Sequence, residues 1–231
     1  FIDNWFKTKG WKLHDHQIKM IQSGASGSSS LLIAPTGGGK TLAGFLPSII
    51  ELNAYPTNSL HTIYISPLKA LTVDVARNLL NPLSEMGLKI TVETRTGDTP
   101  QSKRQRQRKS PPNILLTTPE SLALLISYPD SAAIFQELRC VIIDELHALA
   151  PTKRGDLLSL ALARLNKWAP KARRVGLSAT IPYPEEMAEY LSCGQKIKTV
   201  QIIQAQPTKK PMERKTKVFN ALCNAGLIVT D

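Results

Sequence analysis

The chain has 231 residues, of which 42% are hydrophobic and 20% charged, a balance that is ordinary for a globular protein and excludes an intrinsically disordered one. Its 29 lysines and arginines exceed its 18 acidic residues by 11, which indicates a polyanionic partner, nucleic acid before a membrane surface. The three cysteines form no C-x-x-C pair and no apolar run reaches the ~18 residues of a membrane span, so we expect a protein of a reducing compartment that does not enter a membrane.

Short apolar runs alternate with longer runs of helical spacing along the chain. The alternation predicts strands over 31–34, 61–66, 89–95, 114–117, 141–144, 174–178 and 196–203, and helices over 14–23, 42–52, 68–85, 119–127, 156–168 and 185–191. Several of these strands are continuously apolar, which is typical of a mostly parallel sheet with helices on both faces. We therefore predict one α/β domain over residues 1–203. The rest, 204–231, begins as a polar linker with two prolines and five basic residues up to residue 217, and its end is assigned to no element.

The strongest motif follows the first predicted strand. It consists of Ala34 and Pro35 followed by Thr36, Gly37, Gly38, Gly39, Lys40 and Thr41, and a helix comes next. Glycines let backbone N–H groups surround phosphate oxygens, and the helix N-terminus adds a partial positive charge. Lys40 can then reach the β- and γ-phosphates, and the Thr41 hydroxyl can ligate Mg²⁺. The alternative is a glycine-rich turn with an incidental lysine.

Two carboxylates follow the predicted strand over 141–143. Ligands of doubly wound sheets bind at the carboxyl ends of the strands, where Asp144 and Glu145 fall. We expect Asp144 to hold Mg²⁺ through water and Glu145 to orient and deprotonate the attacking water. The alternative is a solvated acidic turn, which the phosphate loop upstream disfavours.

Together these motifs resemble those of superfamily 2 DExH-box helicases. The stretches 34–41, 144–147 and 178–180 resemble motifs I, II and III, and Pro67–Leu71 resembles motif Ia. Gln17 lies where such helicases carry an adenine-reading glutamine. The longer strings 64–71, 93–99 and 149–155 resemble the long-helicase-related (Lhr) proteins, and within them the ligase-associated DNA-damage-response branch. The likeness covers about residues 8–200.

This resemblance implies the first of two RecA-like domains of a motor. ATP with Mg²⁺ would bind motifs I and II and be closed in by a second RecA-like domain that brings arginines. His147, Ser178 and Thr180 would couple hydrolysis to movement. The implied activity is ATP-driven 3′-to-5′ translocation on DNA and unwinding, in DNA repair in the bacterial cytoplasm. The match ends near residue 204 and the chain starts without a natural initiator, so we expect a fragment that holds half of an ATPase site.

The resemblance also places a nucleic-acid face on the loops after the strands. The residues expected to contact nucleic acid are Lys69, Thr96, Gly97, Asp98, Thr117, Thr118, Pro119 and Glu120. Hydroxyls and free N–H groups at strand ends and helix starts can meet phosphates. The run 103–109, with five positive charges in seven residues, fits either DNA contact or a solvated helix face or mobile loop. The expected partner is single-stranded or tailed duplex DNA, with RNA not excluded because no 2′-hydroxyl reader is evident.

Two other functions stay open on the residues alone. One is a different P-loop enzyme, such as a small kinase or a GTPase, although those lack the Ser178-Ala179-Thr180 strand end. The other is a basic nucleic-acid-binding module whose loop only senses ATP. Trp11 either flanks the adenine or packs. The cysteines are expected to be inert, with Cys140 in the core and Cys193 and Cys223 far from metal-ligand spacing.

Overall fold

The fold is built on one parallel sheet. The computed structural model describes residues 2–35, 37–179, 181–193 and 199–205. Its strands are β1 Ser30–Ile33, β2 Thr62–Ile65, β3 Val92–Arg95, β4 Ile114–Thr117, β5 Cys140–Ile143, β6 Arg173–Ser178 and β7 Gln201–Gln204. They lie in the order β3-β4-β2-β5-β6-β1-β7, and every pairing within the described residues is parallel.

Helices cover both faces of this sheet. They are α1 Ile2–Thr8, α2 Asp15–Ala25, α3 Lys40–Ala54, α4 Lys69–Glu85, α5 Gln101–Lys109, α6 Pro119–Ser127, α7 Ser131–Phe135, α8 Leu146–Leu149, α9 Lys153–Trp168 and α10 Pro184–Ser192. In the part of the chain that is described, no helix is long and apolar enough to cross a bilayer.

The side chains of each strand point alternately to the two faces of the sheet, and this divides the core into two layers. Leu31 and Ile33 of β1 pack with α6, α8, α9 and α10, whereas Leu32 packs with α3 and α4 on the other face, because successive strand side chains point to opposite sides. The central strands β1, β2, β4, β5 and β6 are buried along their whole length. This explains why the middles of these strands are apolar rather than alternating, although β6 begins with two buried arginines, Arg173 and Arg174.

Every predicted strand is present, with shifted ends. β3 starts at Val92 rather than at residue 89, and β7 covers Gln201–Gln204 rather than 196–203. The predicted strand end at residue 203 falls one residue short, because Gln204 still pairs with Ile33; the domain boundary at residue 203 stays a prediction. The short helices α1, α7 and α8 were not predicted, and neither was α5. The expectations for 206–231, Cys223 included, fall outside the described residues.

A buried charge cluster lies at the amino ends of the strands. Arg173 Nη1 donates to Glu51 Oε1 at 2.7 Å, and His61 Nε2 lies 3.1 Å from Glu51 Oε2. Burial acts to raise the pKa of Glu51, but the hydrogen bond from His61 and the Arg173 guanidinium outweigh burial and hold that pKa below its ordinary value. Acid therefore weakens this cluster.

Candidate functional site

The loop after β1 has the backbone of a phosphate cradle. Gly37 and Gly39 adopt φ values of +79° and +72°, which residues with a Cβ rarely adopt. A Cβ on Gly38 would lie 3.0 Å from the Pro35 carbonyl oxygen, so the loop admits no side chain there without shifting. Thr36 lies outside the described residues.

Lys40, the first residue of α3, has a buried ammonium group whose hydrogen bonds are unmade in the described structure. Its residue is 7% exposed, and Nζ finds no hydrogen-bond partner among the described residues. Glu145 Oε1 lies 4.0 Å away. A buried ammonium without acceptors is costly. Phosphate oxygens in the cradle would supply those acceptors, so Lys40 and the glycine loop fit a nucleoside triphosphate.

Two side chains of α2, those of His16 and Gln17, lie against the glycine loop after β1. His16 Nε2 donates to the Gly38 carbonyl at 2.9 Å, and burial lowers the pKa of His16, which favours the neutral ring. Gln17 is buried, and its Oε1 accepts the His14 backbone N–H at 2.9 Å. The Gln17 amide oxygen therefore already caps α2, and adenine reading by Gln17 stays a prediction. No sequence pattern indicated His16 beyond its place next to Gln17.

Asp144 is held on both carboxylate oxygens. The Tyr64 hydroxyl of β2 donates to Oδ2, and the Glu145 backbone N–H donates to Oδ1 at 2.8 Å. Burial and the neighbouring Asp144 raise the pKa of Tyr64 far above its ordinary value, so its hydroxyl stays a donor. Sequence reasoning missed Tyr64, whose polar end is hidden in an otherwise apolar strand. A tyrosine inside a buried strand is the signal that could have found it, because buried hydroxyls need partners.

Glu145 has an unusual backbone. Its φ of +48° and ψ of 42° are left-handed, and it is the one non-glycine residue with positive φ in the described part of the chain. This conformation directs the carboxylate between two groups: Oε1 lies 4.0 Å from Lys40 Nζ, and Oε2 lies 3.5 Å from His147 Nε2. The strain of a left-handed glutamate is typical of functional sites.

His147 connects this carboxylate to the end of β6. Its Nδ1 accepts the Ala179 backbone N–H at 3.3 Å and lies 3.2 Å from Ser178 Oγ. Because a backbone N–H can only donate, Nδ1 is the acceptor of this bond, and Nε2 is the ring nitrogen that faces Glu145. The structure therefore brings together Glu145, His147 and Ser178, while Thr180 lies outside the described residues.

The donors for Mg²⁺ are few but of the right kind. Asp144 supplies a carboxylate and Thr41, on the first turn of α3, a hydroxyl, and both are the oxygen ligands that Mg²⁺ prefers. Within the described ranges, no group of three or more His, Cys, Asp or Glu residues could hold a metal by itself. The residues thus fit an ion that keeps several waters and is shared with substrate phosphates, rather than one held in a protein cage.

The residues predicted to contact nucleic acid lie near the carboxyl ends of β2, β3 and β4, in different environments. Lys69 and Asp98 are exposed and pair at 2.9 Å, beside Thr96 and Gly97. The Thr117 hydroxyl is buried and donates to the Arg95 carbonyl at 2.7 Å, so it is not free to meet a phosphate. Thr118 Oγ1 accepts the Ser121 N–H as the cap of α6.

The last two residues predicted to contact nucleic acid, Pro119 and Glu120, have structural roles within the chain. Pro119 is buried at the first turn of α6, and the Glu120 carboxylate pairs with Arg154 at 2.5 Å. A carboxylate repels phosphates, so this pairing argues for a structural role of Glu120. Pro119 offers no N–H and serves to start the helix.

The basic run 103–109 forms most of α5, and its arginines are paired within the chain. Arg104 donates to the carbonyls of Thr96 and Gly97, Arg106 to Glu93, and Arg108 to Asp130, at 2.5–3.1 Å. These bonds fasten α5 to the loop after β3, to β3 itself and to the start of α7. For the three arginines the structure favours this internal role over DNA contact.

Comparison with known proteins agrees with this geometry. The model of the DEAD/DEAH box helicase family matches residues 14–189. The chain belongs to the DEAD/DEAH box helicase family. Residue for residue it is 44% identical over 204 residues to the Lhr helicase/probable uracil glycosylase of Mycolicibacterium smegmatis, covering 81% of this chain and 13% of that protein. It is 41% identical to the ATP-dependent helicase Lhr-Core of Methanocaldococcus jannaschii, over 82% of this chain and 24% of the relative.

Solved structures show the same likeness. The Mycobacterium smegmatis helicase Lhr bound to ssDNA and AMP-PNP superposes with a TM-score of 0.79 and 41% identity, over 88% of this chain and 27% of that one. The DEAD-box helicase Mss116 shares the fold at 18% identity, with a TM-score of 0.73, over 93% of this chain and 48% of that one. The fold is thus RecA-like and the resemblance to Lhr helicases is confirmed, while the finer branch stays a prediction. The chain spans about a quarter or less of the length of these curated relatives.

Proposed function

We propose that this chain is the nucleotide-binding half of an ATP-driven motor that moves 3′-to-5′ along single-stranded DNA and unwinds duplexes. The observation that carries the proposal is the buried Lys40 ammonium, which has no hydrogen-bond partner among the described residues and lies at the end of a glycine cradle beside Glu145. This arrangement needs an anion to be complete, and the triphosphate of ATP fits it.

Each residue of the site has a role in hydrolysis under this proposal. The N–H groups around Gly37–Gly39 and the Lys40 ammonium bind the β- and γ-phosphates. Thr41 and Asp144 would hold Mg²⁺, which supplies positive charge to the phosphate oxygens. Glu145 orients the attacking water and accepts its proton as the bond from the γ-phosphorus to the β,γ-bridging oxygen breaks.

The second half of the site comes from outside the described domain. We infer a second RecA-like domain, because the relatives are more than four times the length of the matched segment. Closure onto that domain would be sensed through His147 and Ser178, whose contacts join Glu145 to the end of β6.

Single-stranded DNA is the partner that the likeness supports best. The related Lhr structure is described as bound to ssDNA and AMP-PNP, and this chain carries a net charge of +11, which suits a polyanion. Lys69, the exposed Gly97 and the Thr118 turn that starts α6 are the groups best placed to meet phosphates. The bacterial cytoplasm and a role in DNA repair are part of the same proposal.

ATP hydrolysis with and without single-stranded DNA tests this function. We would compare the 231-residue chain with a longer chain that adds a second RecA-like domain, and we expect DNA-stimulated turnover only in the longer one. Lys40→Ala should weaken binding of a fluorescent ATP analogue about a hundredfold, or about 3 kcal/mol, while Lys7→Ala, an exposed lysine of α1, should not. Glu145→Gln should bind the analogue and not turn over.

Other outcomes would contradict specific parts of the proposal. Hydrolysis by the 231-residue chain alone, with no response to DNA, would point to a different P-loop enzyme. Unchanged nucleotide affinity in Lys40→Ala would contradict the phosphate site itself.

A further inference from the structure

Arg154 joins two loops that follow different strands. It lies in the first turn of α9. Its Nη1 donates to the Pro67 carbonyl, after β2, at 2.7 Å. Its Nε and Nη2 donate to the two carboxylate oxygens of Glu120, after β4, at 2.5 and 3.0 Å. One planar guanidinium thus fixes the spacing between the loop that leads to Lys69 and the turn that starts α6.

The backbone around Arg154 is itself held from three sides. The Thr152 hydroxyl accepts the Gly155 N–H at 3.2 Å and caps α9. A Cβ on Gly155 would lie 2.4 Å from the Ala150 carbonyl oxygen, so only glycine lets α9 start this close to the end of α8. The Tyr190 hydroxyl donates to the Gly155 carbonyl at 2.6 Å. The guanidinium is therefore placed before any ligand arrives.

The pair of Arg154 and Glu120 stays charged. The hydrogen bond from Arg154 lowers the pKa of Glu120, and the bond to Glu120 raises the pKa of Arg154. Three of the guanidinium donors are used on protein acceptors, which makes Arg154 a poor candidate for a direct phosphate contact and a good one for a cross-link.

We propose that Arg154 is a positioning residue for single-stranded nucleic acid, acting through Glu120 and the Pro67 carbonyl. It sets the distance between Lys69 and the Thr118 turn, so that groups on the two loops can meet phosphates of the same strand. Glu120 is then the partner of Arg154 rather than a contact to DNA. This inference rests on the proposed function, because it assumes that DNA crosses the carboxyl ends of the strands.

Whether Glu120→Gln weakens or tightens DNA binding distinguishes a positioning role of Arg154 from a direct contact of Arg154 with phosphate. Binding of a fluorescein-labelled oligothymidylate to the 231-residue chain would be measured by anisotropy at fixed salt. Arg154→Gln should weaken binding about tenfold, the loss expected when one charge-assisted hydrogen bond to phosphate is misaligned. Glu120→Gln should weaken it as well, and the double variant should be no weaker than Arg154→Gln alone. If Arg154 bound phosphate directly, Glu120→Gln would tighten binding by removing a negative charge.

Two further variants separate geometry from charge. Arg154→Lys keeps the charge but lacks the planar fork, so we expect it to bind as weakly as Arg154→Gln. Arg139→Gln removes the same charge just before β5, at the opposite end of the sheet, and should bind as the wild type does. Full affinity in Arg154→Lys, or equal losses in Arg139→Gln and Arg154→Gln, would overturn the proposal.

Two further measurements complete the test: nucleotide affinity, which checks the phosphate site, and thermal melting, which checks that each variant folds. AMP-PNP affinity should be unchanged in Arg154→Gln, since the residue touches no group of the phosphate site. If Arg154→Gln does not fold, Glu120→Gln decides the question, because Glu120 is exposed. A wild-type chain that binds no oligothymidylate would contradict the proposed function, whereas wild-type binding with equal binding by Arg154→Gln would contradict this inference alone.

Discussion

Tyr64→Phe removes one hydroxyl from the centre of the site and nothing else. Tyr64 is fully buried in β2, and its hydroxyl donates to Asp144 Oδ2. Because the pKa of Tyr64 is raised far above its ordinary value, the hydroxyl donates at every working pH. In the variant, the buried Asp144 carboxylate keeps the Glu145 N–H on Oδ1 and loses its partner on Oδ2.

The size of this effect follows from the charge of the acceptor. A hydrogen bond to a charged group contributes about 1.5–3 kcal/mol, so the free energy of unfolding should fall by about 2 kcal/mol. In a domain of this size each kcal/mol lowers the melting temperature by about 2–4 °C, which predicts a drop of about 4–8 °C. A freer Asp144 should also raise the Mg²⁺ concentration needed for nucleotide binding about tenfold, as for other residues that orient metal ligands.

Thermal melting and a Mg²⁺ titration of analogue binding check both parts. Tyr190→Phe is the matched control, because it removes the same atom from a hydrogen bond to a neutral carbonyl, that of Gly155 at 2.6 Å. We expect this control to lose about 1 kcal/mol and to keep the wild-type Mg²⁺ dependence. A Tyr64→Phe protein that melts no earlier than the control, with an unchanged Mg²⁺ titration, would refute the reasoning.

Three further changes have outcomes fixed by the structure. Gly155→Ala should lower the free energy of unfolding in urea by about 3 kcal/mol, because its Cβ would lie 2.4 Å from a backbone oxygen; wild-type stability would mean that α8 and α9 can separate. Glu51→Gln should lower the free energy of unfolding at pH 7, and its difference from the wild type should shrink as the pH falls below the ordinary glutamate pKa and vanish only below the lowered folded-state pKa of Glu51; a difference that does not shrink in acid would contradict this. Glu145→Gly should be about 1 kcal/mol more stable than Glu145→Gln, because glycine tolerates a φ of +48°; equal stabilities would show no strain.

Local sequence patterns predicted the centre of the sheet because its five central strands are buried on both faces. A run such as Leu31–Ile33 is apolar throughout, and that alone indicates a covered parallel strand. The helix α5 gave no such signal. Only Gln107 of α5 is buried, and ion pairs rather than an apolar face hold the helix to the sheet. Helices of four to seven residues, such as α8 and α1, are too short to show a period.

The residues of the phosphate site were predictable because their chemistry is contiguous in sequence. The glycine loop and Lys40 need only their neighbours to form a cradle, and Asp144 needs only the end of its strand. Tyr64, His16 and Arg154 act through partners 80, 22 and 87 residues away. Their roles depend on strand register and on the packing of α2 and α9. A local sequence pattern does not predict such long-range contacts.

The backbone of Glu145 is the clearest case of information that a sequence lacks. A pattern that places an acidic pair after a strand predicts ordinary extended or helical backbone, and glutamate favours both over the left-handed region. The structure nevertheless holds Glu145 at a φ of +48°, where its carboxylate faces Lys40 on one side and His147 on the other. Glycine would suit this backbone better but has no carboxylate. The left-handed conformation therefore costs local stability, and the proposed role of Glu145 as the base explains a glutamate here better than the fold does.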